Sequence, residues 1–317
     1  VADTAIALNA RIGRTAPRHP AQSDSTGAKL HTARSRTHEL LERTPNVLVL
    51  LLVLLVALWP HWWWMARRLT DGSDEPWGIV ALITAITLVA REWRALSVPS
   101  SSVLHATAAL AIGAAISRLW VPPLGAAVIA MTALATFLAG ARRARPATAL
   151  ASLLLLALPV IATLQFYFGY PLRLATATLA APILRGLGFA VEATGAALAW
   201  QGQLVLIDPP CAGIGMLWVG AFTASLLSYV ANASAGRTIL NGAVAAASVF
   251  VANVARNVAL FFPEALDLGW PEWMHAFIGL IAFSLALLPI VLFAQSSARH
   301  TRKDLLDWPP RYHRRVT

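Results

Sequence analysis

Three side chains in this sequence could do chemistry together: Cys211, Arg256 and His275. An ionised thiol is a nucleophile, an imidazole moves protons near neutral pH, and a guanidinium steadies developing negative charge. That set suits acyl transfer, in which sulfur attacks a carbonyl carbon while histidine carries the proton. Cys211 is the only cysteine, and it sits in residues 208–218, Asp-Pro-Pro-Cys-Ala-Gly-Ile-Gly-Met-Leu-Trp, where a polar segment gives way to an apolar run. Two prolines just before it suit a helix entry. The pattern predicts Cys211 in the first turn of a helix, at the positive end of the dipole, where a thiolate is favoured. Ala212, Gly213 and Gly215 are small and would leave backbone N–H groups open to a ligand. Asn253 lies three residues before Arg256 on one helix face, so its amide could orient the guanidinium. Asp208 could orient His275, but its position ahead of the apolar run reads as a helix cap. Gly279, four residues after His275, would let another helix come close.

Competing chemistries lack their signatures. No Gly-x-Ser-x-Gly and no His-Glu-x-x-His spacing occurs, so neither a metal nor any other cofactor is expected. Each singled-out residue also has an ordinary use: cysteine as a small apolar residue, arginine snorkelling to headgroups, asparagine bonding between helices, histidine at an interface. Their joint meaning depends on the elements that carry them.

Those elements are membrane spans. Of 317 residues, 57% are apolar and 13% charged, a composition outside the soluble range. The net charge of +10 does not indicate a nucleic-acid partner, because the basic residues lie in tails and short loops between apolar runs, as membrane topology requires. Runs long enough to approach a span cover 47–65, 76–90, 103–116, 121–140, 147–167, 211–230, 239–261 and 275–293. Between the fifth and sixth lie about forty residues with no clean span. There, 171–191 reads as an interfacial helix and 201–207 as a short strand. The expected fold is all-α: a polytopic bundle of about eight transmembrane helices with a short interfacial or extracytoplasmic segment before the sixth. Residues 1–45 read as a flexible basic cytoplasmic tail, 46–296 as the membrane domain and 297–317 as a second basic cytoplasmic tail.

The positive-inside rule threads these spans consistently with both tails inside. Most arginines then fall on the cytoplasmic side, Arg67 and Arg68 being the main exceptions, while Asp71, Asp74, Glu75, Asp208, Glu264, Asp267 and Glu272 fall on the other. Cys211 and His275 open their spans at the outer surface. Arg256 lies about five residues before the end of its own, roughly 8 Å along a helix. The acidic loop 262–274 reads as a solvated surface.

Cys211-Ala-Gly-Ile, Asn253-Val-Ala-Arg256 and His275-Ala-Phe-Ile-Gly279 resemble, in order and spacing, the motifs of the exosortase/archaeosortase family of multi-pass membrane cysteine transpeptidases. The likeness extends over roughly residues 47–295. Ala212 departs from it, standing where serine is usual. The resemblance implies Cys211 as nucleophile, His275 as general acid/base and Arg256 as carbonyl stabiliser; Asn253, Gly213 and Asp208 are the residues expected to bind or orient the substrate. It implies a bacterial inner membrane location. The implied partners are the lipid bilayer and secreted proteins ending in a short Pro-Glu-Pro-like motif, one spanning helix and a basic cluster, often in exopolysaccharide systems. The alternative is a transporter or structural subunit of an envelope polysaccharide assembly. Reactive groups gathered at one interface, not at the midplane, argue against transport.

Overall fold

The computed structural model describes residues 46–72, 75–142, 147–271 and 273–306, with side chains through 296. The tail 1–45, Arg143 and Arg145 of the basic cluster, Asp74, Glu272 and the end of the second tail lie outside the described residues.

The chain is an α-helical membrane bundle. In order come α1 (Asn46–Ala57), α2 (Trp59–Thr70), α3 (Trp77–Arg91), α4 (Ser101–Ser117), α5 (Pro123–Ala141), α6 (Ala147–Leu156) and α7 (Ile161–Gly186). Three strands follow, β1 (Glu192–Thr194), β2 (Ala197–Trp200) and β3 (Gln203–Leu206), then a 3-10 turn (Pro209–Ala212), α8 (Ile214–Val230), α9 (Ala235–Ala265) and α10 (Trp273–Leu306). Among the described residues, four helices are long and apolar enough to cross a membrane: α5, α8 with its preceding turn, α9 and α10. Two bent pairs, α1 with α2 at 64° and α6 with α7 at 90°, are apolar enough only when each pair is taken together, as a broken span or a re-entrant loop, which gives four to six candidate spans. The eight expected runs thus divide into four straight helices, two broken ones and the shorter α3 and α4.

The breaks follow from proline. Pro159 lies in the gap between α6 and α7, where it removes an N–H and disfavours helical geometry at Leu158. The run expected as one span over 147–167 is therefore two helices at a right angle. Pro60 at the start of α2 has the same effect on the run expected over 47–65. The broken end of α6 is not left open: the Trp218 indole donates to the Leu156 carbonyl at 3.3 Å.

The segment without a clean span folds as α7 continued and a small antiparallel sheet of order β1-β2-β3. The expected strand over 201–207 forms as β3. Ala177, Ala180, Ala181 and Leu184 of α7 pack with Val191, Leu198, Ile207 and the α9 residues Val254, Phe261 and Ala265. Phe189, Trp200, Phe261 and Phe262 contact one another edge-on or tilted. Small residues on α7 let the sheet lie close, and the aromatic group anchors it to the end of α9.

Candidate active site

The residues leading into α8 are held by side chains from two helices. Arg173 Nη1 of α7 reaches the Ile207 carbonyl at 3.3 Å, and Gln165 Nε2 of α7 reaches that of Pro209 at 2.9 Å. Asn253 Nδ2 and Asn257 Nδ2 of α9 reach that of Cys211 at 3.1 and 3.3 Å. Three alternate carbonyls that a non-helical segment would leave bare are thereby satisfied, and the cysteine backbone is fixed between α7 and α9.

Cys211 is not in the first turn of an α-helix. It lies in the four-residue 3-10 turn, its N–H bonded to the Asp208 carbonyl at 2.8 Å. Gly213 follows at φ +84°, a left-handed conformation that costs an L-residue about 1–2 kcal/mol, and α8 starts only at Ile214. The local reason is Pro209-Pro210: the pair starts a tight turn, and Gly213 resets the chain direction before the helix. Asp208 precedes this turn but accepts no side-chain capping bond, so it does not act as the expected cap.

Cys211 is half-buried and lines a cavity of about 310 Å³. Asp208 and His275 line the same cavity, together with Leu204, Leu206, Asn257 and Glu264. His275 Nε2 stands 3.1 Å from Glu264 Oε1. Glu264, not Asp208, is thus the carboxylate beside the histidine.

Arg256, Asn253 and Gly213 do not line the cavity. The Arg256 guanidinium lies against α10 at Gly279, where a Cβ would meet its Nε at 3.1 Å. Gly279 thus admits the arginine side chain itself. Arg256 Nε is buried with no hydrogen-bond partner, and so is Asn253 Oδ1. Asn253 spends its amide on the Cys211 carbonyl instead of the guanidinium. Arg256 nevertheless stands near enough to act electrostatically on the thiol, as do Asp208 and Glu264.

Four positions at this site are not singled out by the sequence pattern: Arg173, Gln165, Asn257 and Glu264. Arg173 and Gln165 lie on α7, whose full extent was not recognised. Asn257 directly follows Arg256 and lies outside the motif spacing. Glu264 falls in the acidic stretch 262–274 that reads as a solvated loop, yet α9 runs through Pro263 to Ala265. The signal was present in the spacing of Asn253, Asn257, Leu260 and Glu264, which repeats every three to four residues along one helix face.

A model of the transmembrane exosortase family matches residues 99–292. The chain belongs to that family. It is, at the level of the family, a membrane transpeptidase of the cysteine type acting on sorting signals of secreted proteins. Comparison with curated proteins and with solved structures found no match.

Proposed function

We propose that this chain cleaves C-terminal sorting signals of secreted proteins at the outer interface of the bacterial inner membrane, with Cys211 as nucleophile. The observation that carries the reading is that the thiol shares one cavity with an imidazole already paired to a carboxylate. His275 takes the thiol proton, and the sulfur attacks the scissile carbonyl carbon. The C–N bond then breaks, and the departing amine takes the proton back from His275. An acyl thioester remains on Cys211, to be released by water or by an acceptor nucleophile, whose proton again passes to His275. Glu264 holds the imidazole orientation and stabilises its charged form, as a third group does in other nucleophile–histidine sites. Arg256, which stands outside the cavity, supplies positive charge for the oxyanion through space; its electrostatic reach to the thiol supports that role. Asn253 and Gly213 position the turn, and Asp208 borders the peptide path.

The substrate's own spanning helix would hold the scissile bond at the depth of Cys211, with its basic tail in the cytoplasm. Both termini of the enzyme are cytoplasmic in this reading, which rests on the distribution of arginines. Cys211→Ala, His275→Ala and Arg256→Ala each yield an inserted protein that no longer shortens a secreted reporter carrying such a signal. Full processing by the Cys211→Ala form refutes the proposal.

A further inference from the structure

β3 has one edge paired and one edge open, and the strand lines the cavity that holds the cysteine. Gln201 and Gly202 connect β2 to β3 with φ of 49° and 79°, the signature of a two-residue type I′ turn. Such a turn makes Trp200 and Gln203 a hydrogen-bonded pair, and strand alternation makes Leu198 and Val205 the next. The same parity continues past the strand, where the Ile207 N–H donates to the Ala196 carbonyl at 3.0 Å. Gln203, Val205 and Ile207 therefore turn their backbone groups to β2, and Leu204 and Leu206 turn theirs outward. β3 is the last strand of the sheet, and among the described residues no partner pairs with the outward groups of Leu204 and Leu206. Both residues, like Gln203, Val205 and Ile207, line the cavity that holds Cys211, His275 and Glu264. The two residues are 60% and 68% exposed.

Proteins ordinarily blunt such an edge with charge, proline or a covering element. The opposite edge strand, β1, carries Glu192. β3 reads Gln-Leu-Val-Leu and has no such device. An uncharged edge kept open beside a thiol is suited to receive another extended chain.

We propose that the substrate polypeptide docks on β3 as an added strand, pairing with the outward N–H and C=O groups of Leu204 and Leu206. This rests on the assignment of Cys211 as nucleophile and names how that site holds its peptide. β3 runs through Ile207 and Asp208 into the turn bearing Cys211, so a chain paired along the edge is led to the sulfur. Backbone pairing gives affinity that is indifferent to sequence, and the two exposed leucines seat alternate apolar side chains.

Proline tests this with little disturbance, because it is tolerated in an edge strand where its missing N–H would have pointed away from the sheet. Leu204→Pro and Leu206→Pro should each lower kcat/KM on a reporter that the wild type shortens by about tenfold, mainly through KM, as expected for one lost hydrogen bond. Labelling of Cys211 by an impermeant maleimide should proceed at the wild-type rate. A second arm uses the wild-type protein and needs no variant to fold. Synthetic peptides spanning the cleaved bond, N-methylated one position at a time, should lose competition at alternate residues only. Wild-type cleavage by both proline variants overturns the docking, as does N-methyl sensitivity without a period of two. A change of oligomeric size in detergent with cleavage intact assigns the edge to a second copy and overturns it as well. These failures are distinct from failure of the nucleophile, which would show as cleavage by Cys211→Ala.

Discussion

Gly213→Ala tests how tightly the cysteine turn is held. Two costs arise from one methyl group. The first is conformational: φ is +84°, where alanine loses about 1–2 kcal/mol relative to glycine. The second is steric. An added Cβ would lie 2.8 Å from Asn253 Cγ, 3.0 Å from Nδ2 and 3.1 Å from Oδ1, against 3.4 Å where ordinary contact begins. The amide must retreat by roughly 0.6 Å within a packed interior that yields little. Asn253 is 1% exposed, so the displaced amide finds no water to replace its bond to the Cys211 carbonyl, a further loss of about 1 kcal/mol. The total is about 2–3 kcal/mol of stability. Cleavage should fall by about 10–10²-fold, since the turn bearing the nucleophile loses its hold when the amide retreats, and misplacement by about 1 Å costs about 10²-fold. The assay is a double-mutant cycle with Asn253→Ala, read by reporter cleavage in membranes and by unfolding in detergent. In the Asn253→Ala background the steric cost vanishes, leaving the conformational cost of about 1–2 kcal/mol. Equal losses in both backgrounds, or a Gly213→Ala enzyme within about twofold of wild type, would refute the packing argument.

Two other perturbations separate chemistry from scaffold. Glu264→Gln keeps the shape beside His275 but removes the charge that stabilises an imidazolium; turnover should drop by about 10–10²-fold with KM little changed. An unchanged kcat would show the 3.1 Å contact to be incidental. At the far end of α8 from the cysteine, Arg142 is buried at 5% exposure, bonded to Glu92 at 2.5 and 3.1 Å and to the Tyr229 hydroxyl. Glu92→Ala should lower the unfolding temperature by leaving a buried cation without its carboxylate, at a cost of about 2–4 kcal/mol, while Cys211 labelling stays intact at lower temperature. Wild-type thermal stability in that variant would mean that Tyr229 and solvent suffice for the arginine.

Apolar run lengths and the scatter of arginine were enough to determine a helical membrane bundle, because hydrocarbon tolerates few other backbones and the pattern is local. The order Cys211, Asn253, Arg256, His275 was likewise legible, since motif spacing needs no coordinates. The prolines at 60 and 159 were legible as letters, but the resulting bends of 64° and 90° depend on how neighbouring helices take up the freed backbone. Tertiary structure alone decided which carboxylate meets His275, because α9 passes through Pro263 and carries Glu264 to it, leaving Asp208 on the cavity wall. It also decided that Cys211 occupies a 3-10 turn held by asparagines 42 and 46 positions away, and that β3, an edge strand, lines the cavity of the thiol. Contacts between positions so distant in the chain are set by packing, which no local pattern encodes.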